Sequence, residues 1–336
     1  MNRLNNSSSI ELFSEHSISY SYPENFNPAD RSLFYDENFS FKIPAVRLFE
    51  LSQAKVSNCS VTEKYQPVYT LTYHKKYDIL NAFKELLRSA VHEKENIECG
   101  ILGVQDWANN YFHWMTEMLP RIAAMHQHHP DFPVLIPANY LNYPFIVESL
   151  QQLNIDFKAF DVQHILKVNI LKAIEVHHVG RFNEGLMHFF KEKFIDKYNT
   201  VLEPYRLLYI SRSRAKRRRI SNEDEVFDLL KLKGFEKVNL EELKLMDQVK
   251  LFQEARMVIG CHGAGLANIM FMQKNQTVIE LKSNNNNYWC YFSLARVFGL
   301  KYYYSLNKGH VANHRNADID IDLDAINVLV TKAMNN

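Results

Sequence analysis

The chain has 336 residues, 46% of them hydrophobic, which is enough for two domains of ordinary size, each with its own core. Lysine and arginine number 39 against 38 acidic residues, so a formal charge of +1 gives no global reason to expect nucleic acid or an anionic membrane as partner, and any anion site must be local. Cys59, Cys99, Cys261 and Cys290 lie far apart without a Cys-x-x-Cys, so neither a zinc site nor a disulfide framework is indicated and the thiols are expected to be reduced. The N-terminus lacks a signal-peptide core, and no segment approaches the about 18 continuous apolar residues that span a bilayer; the expectation is a cytosolic protein.

Residues 1–40 are polar, dotted with aromatics and weakly periodic, so they are expected to form an irregular arm that packs through Tyr20, Tyr22 and Phe34. Segments 45–51 and 67–73 alternate as half-buried strands do. Helix 112–128, an apolar run at 133–136, helix 144–153, a run at 157–160, a β-like run at 168–176 and helix 184–198 then follow in turn. Such alternation implies a mostly parallel sheet covered on both faces. A second series comprises strand 206–211, helix 222–233, a short strand near Val238, helix 247–256, strand 257–259, a helix after His262, strand 278–281, helix 288–298 and strand 301–304. Two series imply two lobes, 41–203 and 204–336, with Pro204 in the linker and a crevice between them as the natural ligand site. The last helix, 322–334, follows Asp318, Asp320 and Asp322, which suit a helix N-terminus better than a metal.

The most informative stretch runs from Ile259 through Gly-Cys-His-Gly-Ala-Gly to Glu280. It reads as strand, glycine turn, helix start and second strand. Gly260, Gly263 and Gly265 leave out the Cβ atoms that keep an anionic ligand off the backbone, and a helix opening near Ala264 would aim N–H groups at it. Glu280, at the end of the next apolar run, is placed to accept hydrogen bonds from a ribose. The pattern is neither Gly-x-Gly-x-x-Gly nor a P-loop, and a tight β–α turn with a core histidine is the competing reading. Residues 211–225, Ser-Arg-Ser-Arg-Ala-Lys-Arg-Arg-Arg-Ile-Ser-Asn-Glu-Asp-Glu, form a basic loop that enters a helix. Arg212 and Arg218 can give the forked hydrogen bonds that suit a diphosphate, while Asn222 and Glu223 can cap the helix and orient those arginines. A solvated basic turn is the alternative; nucleic acid is disfavoured because no aromatics interleave the cluster.

Within Asn-Tyr-Phe-His-Trp-Met-Thr-Glu-Met-Leu-Pro-Arg, His113 and Glu117 stand four apart, so on a helix their Cβ atoms are about 6 Å apart and can serve one reacting hydroxyl. On spacing alone an ordinary i, i+4 contact is the stronger reading. Pro120 adds a kink or an early stop.

Taken together, the three segments and the later Ile-Glu-Leu resemble the motif set of glycosyltransferase family 61, in order and spacing, over about residues 95–310. The resemblance implies a GT-B architecture: two Rossmann-like lobes facing across a cleft, with a C-terminal helix returning toward the first lobe. It also implies inverting transfer from a nucleotide sugar, usually a UDP-sugar, with no metal or other cofactor required. Carried over by motif position, Arg212 and Arg218 neutralise the donor diphosphate with Asn222 and Glu223 in support, while His262, Gly263, Ala264 and Gly265 meet phosphate and nucleotide, and Glu280 the ribose. Glu117 is the first choice as base, with His113 as partner or substitute. Compact members without a membrane anchor are associated with bacterial capsule or lipopolysaccharide assembly, which implies a cytoplasmic enzyme acting on a surface glycan or its lipid-linked precursor. Peripheral attachment to the inner membrane and a homo-oligomer are compatible with this setting. The rivals are a different GT-B or epimerase-like enzyme, and an inert sugar-nucleotide sensor or scaffold in a polysaccharide assembly complex.

Overall fold

The structure, a computed structural model, describes residues 8–34, 39–58, 60–63, 66–72, 94–195, 203–311 and 316–336. The chain divides into two compact units, Met1–His16 with Lys42–Lys197, and Ser17–Phe41 with Tyr198–Asn336. Cys59 and the end of the helix expected over 184–198 lie outside the described residues.

The early residues are not an irregular arm. They form β1 (Ser9–Phe13), β2 (His16–Ser19) and β3 (Ser40–Ile43), the last two paired as a ribbon. β1 pairs antiparallel with β4 (Val46–Val56) and is mostly exposed, so buried alternation hardly marks it. Residues 22–34 belong with the second unit because their aromatics find partners there. Phe34 is buried and stacks on Trp289 at 3.9 Å, and the Asn25 amide donates to the Tyr304 carbonyl at 2.7 Å.

β5 (Val61–Glu63) and β6 (Gln66–Pro67) complete one edge of the first unit's sheet. The strand expected over 67–73 ends early: after the Val68 N–H bonds to the Val61 carbonyl at 2.8 Å, Tyr69–Leu71 is a 3-10 turn, and Tyr73 lies outside the described residues. β7 (Lys94–Leu102), β8 (Val134–Pro137), β9 (Phe157–Phe160) and β10 (Ile165–Ile174) supply the rest, in the order β6-β5-β4-β10-β7-β8-β9. Among the described strands β10, β7, β8 and β9 run parallel and β1, β4, β5 and β6 antiparallel, so the sheet is mixed where a mostly parallel one was expected. β4, which pairs antiparallel with β1, β5 and β10, intersperses buried with exposed residues, whereas parallel β8 is buried throughout.

Helix α1 covers 111–128 in three parts: an α-helical turn Tyr111–His113, a π-helical turn Trp114–Met118, and an α-helix Leu119–His128. The Asn110 side chain caps it by accepting from the Phe112 N–H at 3.0 Å. Pro120 neither stops the helix nor leaves it without support, because it falls in the first turn after the π-helical segment, where a missing N–H is tolerated. α2 (Pro144–Gln152) and α3 (Glu184–Ile195) follow. Their buried faces include Ile146 and Leu150, and Leu186, Met187, Phe190 and Phe194.

The second unit is a parallel sheet of β11 (Arg206–Ile210), β12 (Glu236–Val238), β13 (Ala255–Cys261), β14 (Thr277–Ser283) and β15 (Lys301–Asn307), in the order β12-β11-β13-β14-β15. Helices α4 (Glu223–Leu232), α5 (Leu245–Gln253), α6 (Cys290–Val297) and α7 (Leu323–Asn335) accompany it. The residues after His262 form a 3-10 helix, Ala264–Phe271, rather than an α-helix. The C-terminal helix stays with this unit: Ile326, Val330 and Ala333 of α7 enter the same core as Val226 and Leu230 of α4, which uses up its apolar face. Strand order reverses between β11 and β13, and open parallel sheets bind ligands beyond the carboxyl ends of the strands at such a point. The loops after β11 and β13 are the basic loop and the glycine turn.

Among the described residues no helix is long and apolar enough to cross a membrane.

Candidate active site

The second unit brings Arg212, Arg218, His262 and Gly263 together. Gly263 is extended, and its missing side chain matters: a Cβ there would collide with the Arg212 guanidinium. Arg212 is fixed by its own loop, donating from Nε to the Arg218 carbonyl at 3.2 Å and from Nη2 to the Arg217 carbonyl at 3.0 Å. Arg218 has φ +58°, a left-handed conformation that a bulky residue keeps only when its surroundings impose it. Its Nε is buried and meets no acceptor among the described residues. Burial first, and then the charge of Arg212, lower its pKa; the opposing influences come from Tyr291, Cys261 and Cys290, none of them a carboxylate. Two guanidiniums on one loop, with no carboxylate among the influences on Arg218, have the chemistry to take an anion.

Asn222 and Glu223 brace this loop from behind. Asn222 stands at the start of α4 but does not cap it through its side chain, because its amide pairs with the backbone of Ile321 in both directions, at 2.8 and 3.0 Å. Buried Glu223 accepts from the Tyr209 hydroxyl at 3.0 Å and from the Arg212 backbone N–H at 3.2 Å, so it positions the loop and not the guanidiniums. The three aspartates diverge: Asp318 pairs with Arg219 at 3.1 Å, Asp320 with His310 at 2.8 Å, and Asp322 caps α7 through the Ala325 N–H at 2.9 Å. Among the described residues no group of three His, Cys, Asp or Glu side chains is placed to hold a metal ion.

Glu280 sits inside a strand rather than at its end. β14 runs on to Ser283, and the Glu280 carboxylate is fully buried, accepting from the Tyr302 hydroxyl and bonded to His262 Nδ1. Burial alone would raise its pKa, but Lys282, His262 and Tyr302 outweigh this and hold it below the ordinary carboxylate value. His262 is shifted down, by burial above all, against the pull of Glu280. A neutral imidazole thus has its Nδ1 tied to a carboxylate, with Gly263 beside it pinned by the Tyr291 hydroxyl, which donates to the Gly263 carbonyl at 2.6 Å. Glu280 acts on the turn through His262. Ala264 and Gly265 open the 3-10 helix, where a Cβ on Gly265 would come 2.7 Å from Leu240.

In the first unit His113 and Glu117 meet as expected, with His113 Nδ1 3.0 Å from Glu117 Oε2. The same oxygen accepts from Gln105 Nε2 at 2.7 Å, and Oε1 is buried. Arg121 lies under the pair, donating from Nε to the Glu117 carbonyl at 3.0 Å, from Nη1 to the Ile174 carbonyl at 2.8 Å, and from Nη2 to the Gln105 side chain. Burial lowers its pKa to about 10 against the charge of Glu117, so it remains a cation at neutral pH.

The family model of glycosyltransferase 61 matches residues 111–279 of this chain, from the first residue of α1 to the residue before Glu280. The chain belongs to the glycosyltransferase 61 family. It is 32% identical over 130 residues to an EGF domain-specific O-linked N-acetylglucosamine transferase of Drosophila melanogaster, a stretch covering 37% of this chain and 25% of that protein. The Mus musculus protein of the same description is 31% identical over 133 residues, with the same coverage. A beta-1,2-xylosyltransferase of Arabidopsis thaliana is 34% identical over 110 residues, 29% of this chain and 20% of that protein. The matched stretches thus span a quarter or less of these relatives.

The part of this family member that matches the model contains His113, Glu117, both arginines and the whole glycine turn. Arg121, four residues after Glu117 on the same helix, and Lys282, two after Glu280 on the same strand, stand at spacings the sequence shows, whereas Gln105 and Tyr302 become visible only when folding brings separate segments together. His177 is a further case: burial first, and then the charge of Arg121, lower its pKa to about 4 from an ordinary 6.5. A folded-state pKa below the unfolded one means that the unfolded chain binds more protons, so stability is full above about pH 6.5 and falls as pH drops toward 4. From this residue alone, unfolding in urea should show about 2 kcal/mol less stability at pH 5 than at pH 7.5. His177→Gln should lose correspondingly less over the same interval. Equal losses in both proteins would mean that the imidazole is not held neutral.

Proposed function

We propose that the protein is an inverting, metal-independent glycosyltransferase of GT-B architecture that moves a sugar from a UDP-sugar to a hydroxyl of a bacterial surface glycan or its lipid-linked precursor, in the cytoplasm. The observation that carries the donor half is the Arg212–Arg218 pair, half-buried at the strand-order reversal with no carboxylate among the charges that act on Arg218. The donor diphosphate takes the place of the missing counter-charge. The acceptor oxygen attacks the anomeric carbon as the bond from that carbon to the diphosphate oxygen breaks. The electron pair leaves with UDP, where the two guanidiniums stabilise it. The acceptor proton passes to the His113–Glu117 pair. A single displacement of this kind inverts the anomeric centre.

Glu117 Oε2 already accepts two hydrogen bonds and Oε1 is buried, so within the pair His113 is the better proton acceptor, with Glu117 orienting the ring through Nδ1. N-acetylglucosamine and xylose, the sugars in the names of the relatives, are the first donors to try.

The test is thermal unfolding against UDP-, GDP-, CMP- and dTDP-linked sugars with EDTA present. A ligand at about a hundred times its Kd adds about 2.7 kcal/mol to the folded state, a shift of several degrees. A selective shift with UDP-sugars is expected. No shift with any nucleotide would remove the donor half of the proposal.

A further inference from the structure

The chain has three tryptophans. Trp114 and Trp289 are 0% and 4% exposed, whereas Trp107 is 40% exposed and stands beside His113, with ring centroids 5.4 Å apart. Its backbone has φ +65°, a region that bulky side chains rarely enter. The turn that imposes this is anchored at both ends. On one side the Gln105 side chain is bonded to Glu117 and Arg121, while its carbonyl accepts from the Tyr140 hydroxyl at 3.0 Å. On the other side the Asn110 N–H returns to the Trp107 carbonyl at 2.8 Å, and the Asn110 side chain caps α1. The indole is therefore held out rather than left out, next to the groups that would take the acceptor proton. Strain that the surroundings impose on a residue beside reacting groups is characteristic of binding sites.

We propose that Trp107 is the platform on which a sugar ring of the acceptor stacks, setting the distance from its hydroxyl to His113. This rests on the transferase reading for the word acceptor, but the site itself is a saccharide site. A pyranose has one face of C–H groups and an equator of hydroxyls. The indole offers a flat apolar surface to the first, and the polar groups around His113 face the second. Tyr111 and Tyr143, both packed edge-on or tilted against Phe145 at 5.2 and 5.9 Å, extend the aromatic surface at the same end of α1. Asn109 holds Tyr143 there through its hydroxyl at 3.3 Å.

Because the other two tryptophans are buried, acrylamide quenching of the intact protein reads Trp107, and Trp107→Phe identifies its share of the emission. Methyl glycosides of glucose, galactose, xylose and N-acetylglucosamine, titrated into the millimolar range, should change that share and protect it from acrylamide. In transfer assays Trp107→Ala should raise the acceptor KM by about tenfold or more, equivalent to about 1.4 kcal/mol, with most of the loss in kcat/KM falling on KM. Trp107→Phe should restore most of it. Circular dichroism and melting temperature check that the variants fold. Absence of any effect of all four glycosides on the Trp107 emission would overturn the proposal, as would an unchanged acceptor KM in Trp107→Ala. Saccharide protection of Trp107 in a protein that transfers no sugar would instead keep the platform and overturn the transferase reading.

Discussion

Replacing Arg218 with alanine is expected to abolish the thermal shift given by the UDP-sugar and to lower kcat/KM by about 10²- to 10³-fold, the loss that follows removal of one preorganised donor from a developing anion. The buried Nε of Arg218 has no acceptor among the described residues, its backbone is left-handed, and the largest charge effect on it comes from the like-charged Arg212. An arginine in that setting is not there to stabilise the unliganded fold, since burying a cation beside another cation costs energy. The melting temperature of the unliganded variant should therefore stay level or rise while binding is lost. Arg218→Lys should recover little, because an ammonium cannot give the paired, planar hydrogen bonds of a guanidinium. Calorimetry with UDP alone separates donor affinity from turnover. A variant that binds UDP and transfers sugar as well as the natural chain would remove Arg218 from the site.

The parts of this site that can be read from sequence are those whose residue types have few other uses. Gly263 beside His262, and arginines packed into a loop between a strand and a helix, point to the anion site proposed above before any contact is known. Only the structure shows that Gly263 leaves room for the Arg212 guanidinium. Glu280 misleads for a physical reason: Val-Ile-Glu-Leu reads as a strand ending in a carboxylate because buried charges are rare in strand interiors. Here two of them, Glu280 and Lys282, lie side by side in β14, each moderating the other's ionisation against the effect of burial. The central strand β7 escapes because it opens on Lys94, Glu95 and Asn96, and its apolar residues come late. Gly100 in that strand admits Leu135, with a Cβ there only 2.5 Å from Cδ1, a contact that local pattern cannot reveal. Without β7 in place, nothing predicts that Gln105, which follows it, meets Glu117 and Arg121. The π-helical turn is hidden for a different reason, since Trp-Met-Thr-Glu-Met is compatible with an ordinary α-helix and the wider turn shows only in the backbone.

His113→Ala and Glu117→Gln are each expected to lower turnover by about 10²- to 10⁴-fold, the range that general base catalysis contributes, while leaving the thermal shift with UDP in place. Donor binding survives because every group assigned to the diphosphate belongs to the second unit, whereas both variants lie in the first. The two losses have different origins. If His113 takes the proton, imidazole added to His113→Ala restores part of the rate through the space the side chain vacates. Glu117→Gln gains nothing from it, because the ring is still present but has lost the carboxylate that fixes its Nδ1 proton at 3.0 Å. Rates measured with saturating donor and acceptor, with and without imidazole, decide between the two groups. Retention of most turnover by His113→Ala beside an inactive Glu117→Gln would give the proton to the carboxylate. In that case substrate binding would have to displace the Gln105 amide from Oε2, now 2.7 Å away, before chemistry begins, and Gln105→Ala would be faster than the natural chain.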